Sequence, residues 1–464
     1  MNVSIIGLAR SGYAAAHLAR RLGYDVRISD ARLSAHHSTD ADAQLERRAA
    51  ELRGMGVWVE LGAHTPACLD RADVLVTSPG VPEDAPPLAW ARQRGLPVIS
   101  EIEFAVRHTT ARIVGITGTN GKTTTTSLIG HILAHAGIPA IVAGNIGQAL
   151  SSVVEDATAQ HTLVVELSSF QLETVRSLHP HVAVWLNLTP DHLDRYTSMR
   201  DYAAAKGNLF KNMTRDDWAV IWEHDRELVT PFLPQPAPKV VWIDEHGTVA
   251  PSCDEPFCAC CRDGQLTSIF NMVEANHGAM ADTQLHGPHN TINVLAACAA
   301  ARVLRVPNHL LIEALKSFRG LPHRLERVAE WNGITFVNDS KGTNIDAMQQ
   351  ALTTIPAPIS LIAGGYDKGC DFRPLVPLLK DKVARVVLIG AAAEKLQQQF
   401  NGAVPLRKAT SMEDAVAKAA RKAPHGTTVL LSPGCASYDM FRDFEHRGEV
   451  FKDAVHRYTQ QQRN

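Results

Sequence analysis

The residues of this chain best suited to chemistry lie between Gly115 and Thr125, which read Gly-Ile-Thr-Gly-Thr-Asn-Gly-Lys-Thr-Thr-Thr. Two of the glycines let backbone N–H groups turn toward a polyphosphate, Lys122 supplies a cation, and the Thr123 hydroxyl can ligate Mg²⁺. The run follows the β-rich residues Arg112, Ile113 and Val114 and opens a helical pattern over 122–136, so a helix N-terminus adds partial positive charge. Gly118, Thr119, Asn120, Gly121, Lys122, Thr123 and Thr124 are therefore the expected triphosphate site. Ile116 stands where the generic loop has its first glycine, which narrows the motif to a Thr-Gly-Thr-Asn-Gly-Lys variant. The rival interpretation, a glycine-rich turn with an exposed lysine, fits poorly between a strand and a helix.

Glu166 ends the apolar run 162–166, and Asp191, His192 and Asp194 follow the apolar run 182–187. In a parallel sheet, ligands gather at the carboxyl ends of the strands. An acid in that place beside a phosphate loop is suited to holding a metal; His192 fits either a ligand or a packed structural histidine. The chain also begins with a nucleotide-fold signature, Val3 to Gly12 followed by a helical pattern and the strand 25–30. Ala9 replaces the second glycine of the dinucleotide fingerprint, which limits the approach of a pyrophosphate. Asp30 at the strand end is placed to accept hydrogen bonds from a nucleotide, or to form an ordinary turn.

These sites need sheets to position them, and 464 residues suit about three domains. Strand and helix patterns alternate through three α/β units, and Asn332-Gly333 between two apolar runs marks a hairpin opening the third. The expected architecture is α/β with a Rossmann-like domain at 1–104, a central phosphate-loop ATPase domain with a mostly parallel sheet at 105–320, and a Rossmann-like C-terminal domain at 321–464. A net charge of −2 gives no electrostatic footprint for nucleic acid. With no basic leader and no apolar run of membrane-spanning length, a cytoplasmic protein with no membrane partner is expected. Eight cysteines are too few for a disulfide scaffold. The cluster Cys253, Cys258, Cys260 and Cys261 is one crowded strip rather than the two separated pairs of a usual zinc site, so reduced thiols are expected.

The set of motifs resembles the Mur ligases of peptidoglycan precursor synthesis across nearly the whole chain. Carrying the resemblance are the phosphate loop, Glu166-Leu-Ser-Ser-Phe-Gln-Leu-Glu173, Gly320-Leu-Pro-His-Arg324, Asn338-Asp-Ser-Lys341 and Ser432-Pro-Gly-Cys-Ala-Ser437. It implies ATP-driven amide formation through an acyl phosphate. The likeness is strongest to the branch that adds glutamate to UDP-N-acetylmuramoyl-L-alanine, and a monomer is expected. By resemblance, Lys122 faces the γ-phosphate, Thr123 and Glu166 hold Mg²⁺, His192 holds a second Mg²⁺, and Lys206 becomes a carbamate that serves as a metal ligand. Asn290 and Asn293 fall at adenine-side positions, and Arg324 and Asp339 at further ATP contacts. Arg10, Ser11, Asp30, Arg32, Gly80 and Asn145 fall at UDP-sugar positions; Thr343, Lys368, Ser437 and Phe444 fall at amino-acid positions. Departures are Tyr438, where a smaller apolar residue is familiar, and a lengthened segment over 253–277. The same loop occurs in folylpolyglutamate-type synthetases, and the hand of the glutamate is open at this level. A nucleotide-dependent protein without turnover is opposed by Lys122, Glu166, His192 and Lys206 occurring together, and a dehydrogenase would have to bind NAD(H).

Overall fold

The computed structural model describes residues 1–32, 40–191, 195–248, 256–271, 273–285, 287–367 and 369–461. It is α/β, with three sheets. The first contains β1 (Asn2–Ile6), β2 (Asp25–Asp30), β3 (Trp58–Leu61), β4 (Val74–Thr77) and β5 (Val98–Ser100), all parallel in the order β3-β2-β1-β4-β5. This is the open nucleotide-fold order, with its switch point between β1 and β4. Gly7 takes φ +93°, and a Cβ on Gly12 would meet Gly7 O at 1.8 Å, so the loop after β1 tolerates no side chain there.

The second sheet runs β6 (Arg112–Thr117), β7 (Ala140–Gly144), β8 (Thr162–Glu166), β9 (Val182–Trp185), β10 (Trp218–Trp222), β11 (Lys239–Asp244), β12 (Phe257–Arg262), β13 (Gln265–Phe270) and β14 (Val273–Ala279). Its spatial order is β14-β13-β12-β11-β10-β9-β6-β8-β7, parallel from β7 to β12 and antiparallel from β12 to β14. The lengthened segment thus becomes an antiparallel extension of a parallel sheet. On β12, Cys258 and Cys260 are two residues apart, face the same way and are buried, while Cys261 falls on the opposite face. Among the described residues no group of three His, Cys, Asp or Glu side chains is assembled for a metal, and the described cysteines are free thiols. Cys253 lies outside the described residues.

The first two sheets form one compact unit. Between them, Glu103 accepts hydrogen bonds from Arg176 N (2.7 Å) and Ser177 N (2.8 Å) and pairs with Arg107. A second unit contains β15 (Glu326–Trp331), β16 (Ile334–Asn338), β17 (Ile359–Gly364), β18 (Val383–Ile389), β19 (Leu406–Lys408) and β20 (Thr428–Leu431), ordered β15-β16-β20-β17-β18-β19. Only β15 is antiparallel to its neighbour, and Asn332 and Gly333 at φ +49° and +70° make the tight turn to β16. Alternation on β17 and β18 sends Leu361, Ala363, Val386 and Leu388 into one core and Ile362, Val387 and Ile389 into another. A parallel sheet buried on both faces reads as a continuous apolar run for this reason. No helix among the described residues is long and apolar enough to cross a membrane.

Candidate active site

The phosphate loop leaves β6 at Thr117 and enters the helix Lys122–His135 at Gly121, whose φ of +86° only glycine adopts without strain. Its shape is held from β9, which ends earlier than the apolar pattern implied because the chain turns to grip the loop. Asn187 accepts from Asn120 N through Oδ1 (2.8 Å), donates to Asn120 O (3.1 Å), and offers its own carbonyl to Thr119 N (2.8 Å). Asn187 carries no phosphate-binding signature and in the sequence looks like an ordinary residue ending an apolar strand pattern. On the helix Pro288–Val303, Asn293 accepts from Thr125 Oγ1 (3.2 Å) and donates to Asn290 Oδ1 (3.0 Å). A Cβ at Gly121 would lie 2.1 Å from Asn293 Oδ1, so this glycine also permits the helix to approach the loop.

Lys122 Nζ folds back onto Gly118 O and Thr119 O, both at 2.8 Å. Lys206, on the helix Met199–Gly207 capped by Ser198, reaches the same Gly118 O at 2.9 Å. It is 1% exposed, where its helical setting alone suggested a solvated lysine. Burial, then the neighbouring Lys122 charge, push the Lys206 ammonium well below its ordinary range, against the opposing pull of Asp191 and Glu166. Its Nζ also lies 4.5 Å from the centre of the Tyr202 ring.

Glu166 ends β8 beside the loop strand, with Ile116 and Glu166 in register. The capping box of Ser168 and Gln171 starts a helix directly after it and fixes the chain's exit. One carboxylate oxygen accepts from Asn145 Nδ2 (2.9 Å); the other is buried with no hydrogen-bond partner among the described residues. An orphaned carboxylate oxygen beside a phosphate loop fits a hard cation, and Thr123 adds a second oxygen donor. His192 and Asp194 lie outside the described residues.

The six residues matched to a UDP sugar, Arg10, Ser11, Asp30, Arg32, Gly80 and Asn145, line one cavity of about 580 Å³ within the first unit. Arg10 bridges into the second sheet, donating to Asn145 O and Gly147 O at 2.9 Å. Asp30 accepts from Leu8 N (2.6 Å) and from the backbone and guanidinium of Arg32; although burial opposes this, these bonds hold its carboxyl below the usual range.

In the second unit, Asp339 accepts from Ser432 Oγ (2.8 Å) and Leu325 N (3.3 Å). Burial pushes its carboxyl up to about 7. Arg447, 1% exposed, donates to Ser340 Oγ (3.0 Å), Ser340 O (2.8 Å), Cys435 O (3.0 Å) and Ala436 O (3.2 Å). Ser340 Oγ donates in turn to Phe444 O (2.8 Å). Arg447 thus joins the segments carrying Asp339, Ser437 and Phe444, a role that a lone arginine in a helical pattern does not announce. Arg324 and Thr343 are partly exposed in the same unit, and Lys368 lies outside the described residues.

The chain matches three family models: Mur ligase MurD-like, N-terminal domain over 1–100; Mur ligase middle domain over 116–301; and Mur ligase, glutamate ligase domain over 323–435. It is 41% identical over 457 residues to the UDP-N-acetylmuramoylalanine–D-glutamate ligase of Acidobacterium capsulatum, covering 98% of this chain and 95% of that one. The enzyme of the same name from Salinibacter ruber is 42% identical, with 97% of each chain covered. Among solved structures, the UDP-N-acetylmuramate-alanine ligase MurC of Thermotoga maritima superposes with a TM-score of 0.58 over 99% of this chain and all of that one. At 19% identity that likeness concerns the fold.

Proposed function

This chain belongs to the Mur ligase family, and we propose that it uses ATP to add D-glutamate to UDP-N-acetylmuramoyl-L-alanine in peptidoglycan precursor synthesis. The observation that carries this is full-length identity of about 40% to relatives named for that ligation. A carboxylate is a poor electrophile for an amine. One of its oxygens therefore attacks the γ-phosphorus, ADP leaves, and the amine of glutamate then attacks the acyl carbon and expels phosphate. Most of the catalytic effect in such a sequence is alignment and charge neutralisation.

Lys122 is assigned the γ-phosphate and the loop from Gly118 to Thr124 the triphosphate, with Asn290 and Asn293 on the adenine side. Mur ligases are ATP-dependent and need Mg²⁺, and the orphaned oxygen of Glu166 with the Thr123 hydroxyl fits that ion. Mg²⁺ supplies charge neutralisation of the phosphate oxygens when bound. His192 is assigned a second ion. The neutral amine of buried Lys206 is assigned to attack CO₂, losing a proton to leave a carbamate whose oxygens serve the same cations. Arg10, Ser11, Asp30, Arg32, Gly80 and Asn145 are assigned the UDP sugar, Arg324 and Asp339 further ATP contacts, and Thr343, Lys368, Ser437 and Phe444 the amino acid. Domain limits near 104 and 320, a monomeric state and a cytoplasmic setting complete the reading. Its test is ADP release with UDP-N-acetylmuramoyl-L-alanine and amino acids of both hands. D-glutamate alone should support turnover; equal rates with L-glutamate or alanine would refute the assignment.

A further inference from the structure

The cavity assigned to the UDP sugar has an acceptor problem. Asp30 is the acid that the strand pattern offers to a nucleotide, yet each of its oxygens already takes two hydrogen bonds, Oδ2 from Leu8 N and an Arg32 terminal nitrogen, Oδ1 from Arg32 N and Nε. A carboxylate has about four acceptor sites, so Asp30 is saturated. A uridine nucleotide brings donors of its own, the ribose hydroxyls and the base N3–H, and they need another partner.

His64 lines the same cavity. Its Nδ1 lies 2.8 Å from Ser29 Oγ, and the direction of that bond follows from the other neighbours of the hydroxyl. Ser29 Oγ is also 2.8 Å from Glu60 Oε2 and 3.2 Å from Ala63 O, and both of those atoms can only accept. Glu60 is ionised: burial opposes this, but bonds from Thr65 and Ser29 hold its carboxyl below the usual range. The single proton of Ser29 is therefore directed at Glu60 or Ala63, and its oxygen must accept from Nδ1–H of the ring. Burial lowers the pKa of His64 against the pull of Asp30 and Glu60, which keeps the imidazole neutral. Nε2 is left with a lone pair, no proton and no hydrogen-bond partner among the described residues.

We propose that His64 Nε2 is a specificity-determining acceptor for a hydroxyl or N–H of the nucleoside, held in the accepting tautomer by Ser29 and Glu60. This rests on the assignment of the cavity to a UDP sugar and names how the nucleoside end is recognised. A site built to accept a hydrogen bond discriminates against ligands that cannot donate one.

The probes are UDP, 2′-deoxy-UDP, 3′-deoxy-UDP and N3-methyl-UDP, titrated calorimetrically into the wild-type protein, His64→Ala and His64→Gln. One analogue should bind the wild type roughly tenfold more weakly than UDP, a loss of about 1.4 kcal/mol that is in the range of a missing hydrogen bond. His64→Ala should weaken UDP by a similar factor and bind that analogue and UDP alike. The Gln variant, which keeps an acceptor at similar reach, should restore the preference, and KM for ATP should be unchanged in both. Nitrogen NMR should place the ring proton on Nδ1. If UDP binds and His64→Ala binds it as well as wild type does, or the proton sits on Nε2, the role of His64 is wrong while the ligase reading stands. If UDP does not bind the wild type, the cavity assignment itself falls.

Discussion

Lys122 Nζ and Lys206 Nζ point at the same acceptor, the carbonyl of Gly118, from 2.8 and 2.9 Å. Two ammonium groups sharing one oxygen repel, and burial together with the Lys122 charge pushes the Lys206 ammonium well below its ordinary range. A neutral amine beside a phosphate loop can react with CO₂ in a way that an ammonium cannot.

Lys206→Ala is expected to reduce kcat at least a hundredfold while leaving ATP affinity within a few-fold, because the lost group is the one assigned to phosphoryl transfer. Lys206→Arg should not rescue, since a guanidinium stays cationic. Carbon NMR after equilibration with labelled bicarbonate should show a carbamate resonance in the wild type. Its absence, or full activity of the Ala variant, would remove the modification from the account.

Asn187→Ala removes two side-chain hydrogen bonds to Asn120, each worth about 0.5–1.5 kcal/mol. KM for ATP should rise roughly tenfold from that loss of loop order, with KM for the UDP sugar nearly unchanged. Steady-state kinetics in both substrates would check this; an equal change in the two constants would point to general misfolding.

The third sheet should lose stability as pH rises. Asp339 has a folded-state pKa of about 7 against an ordinary value of 3.8, so the folded state retains a proton that the unfolded chain releases. Its contribution is fully present below 3.8 and is lost as pH climbs through about 7. Asp339→Asn should flatten this slope. Urea midpoints at pH 5 and pH 8 for both proteins give the comparison, and identical slopes would show that the carboxyl ionises freely in the fold.

Arg447→Met should leave Ser340 O and Cys435 O without the guanidinium donor, at about 1–3 kcal/mol for each buried group left unsatisfied, while Ala436 O keeps its bond from Tyr366 N. A melting temperature several degrees lower is expected. An unchanged melting curve would mean that other donors replace the guanidinium.

What could be read from residues alone divides along physical lines. Asn332-Gly333 announced its hairpin because few residue pairs adopt two positive φ values, and the phosphate loop announced itself because its glycines, lysine and threonine stand close together in the chain. The burial of Lys206 was not legible from composition, since Tyr-Ala-Ala-Ala-Lys has no polar face to contrast with an apolar one. Asn187 and Arg447 act through contacts 67 and 107 residues away, on Asn120 and Ser340, and no local pattern encodes such distances. Asp30 was legible as a strand-end acid, but its saturation by Leu8 and Arg32 depends on loop geometry.

If the substrate carboxylate is activated by phosphorylation, one of its oxygens ends up in the released phosphate. UDP-N-acetylmuramoyl-L-alanine labelled with ¹⁸O in its carboxylate is turned over with ATP and D-glutamate, and the released phosphate is analysed by mass spectrometry. Each phosphate should carry one ¹⁸O, passed from the carboxylate through the acyl phosphate. Phosphate without label, formed at the same rate as the amide, would contradict it.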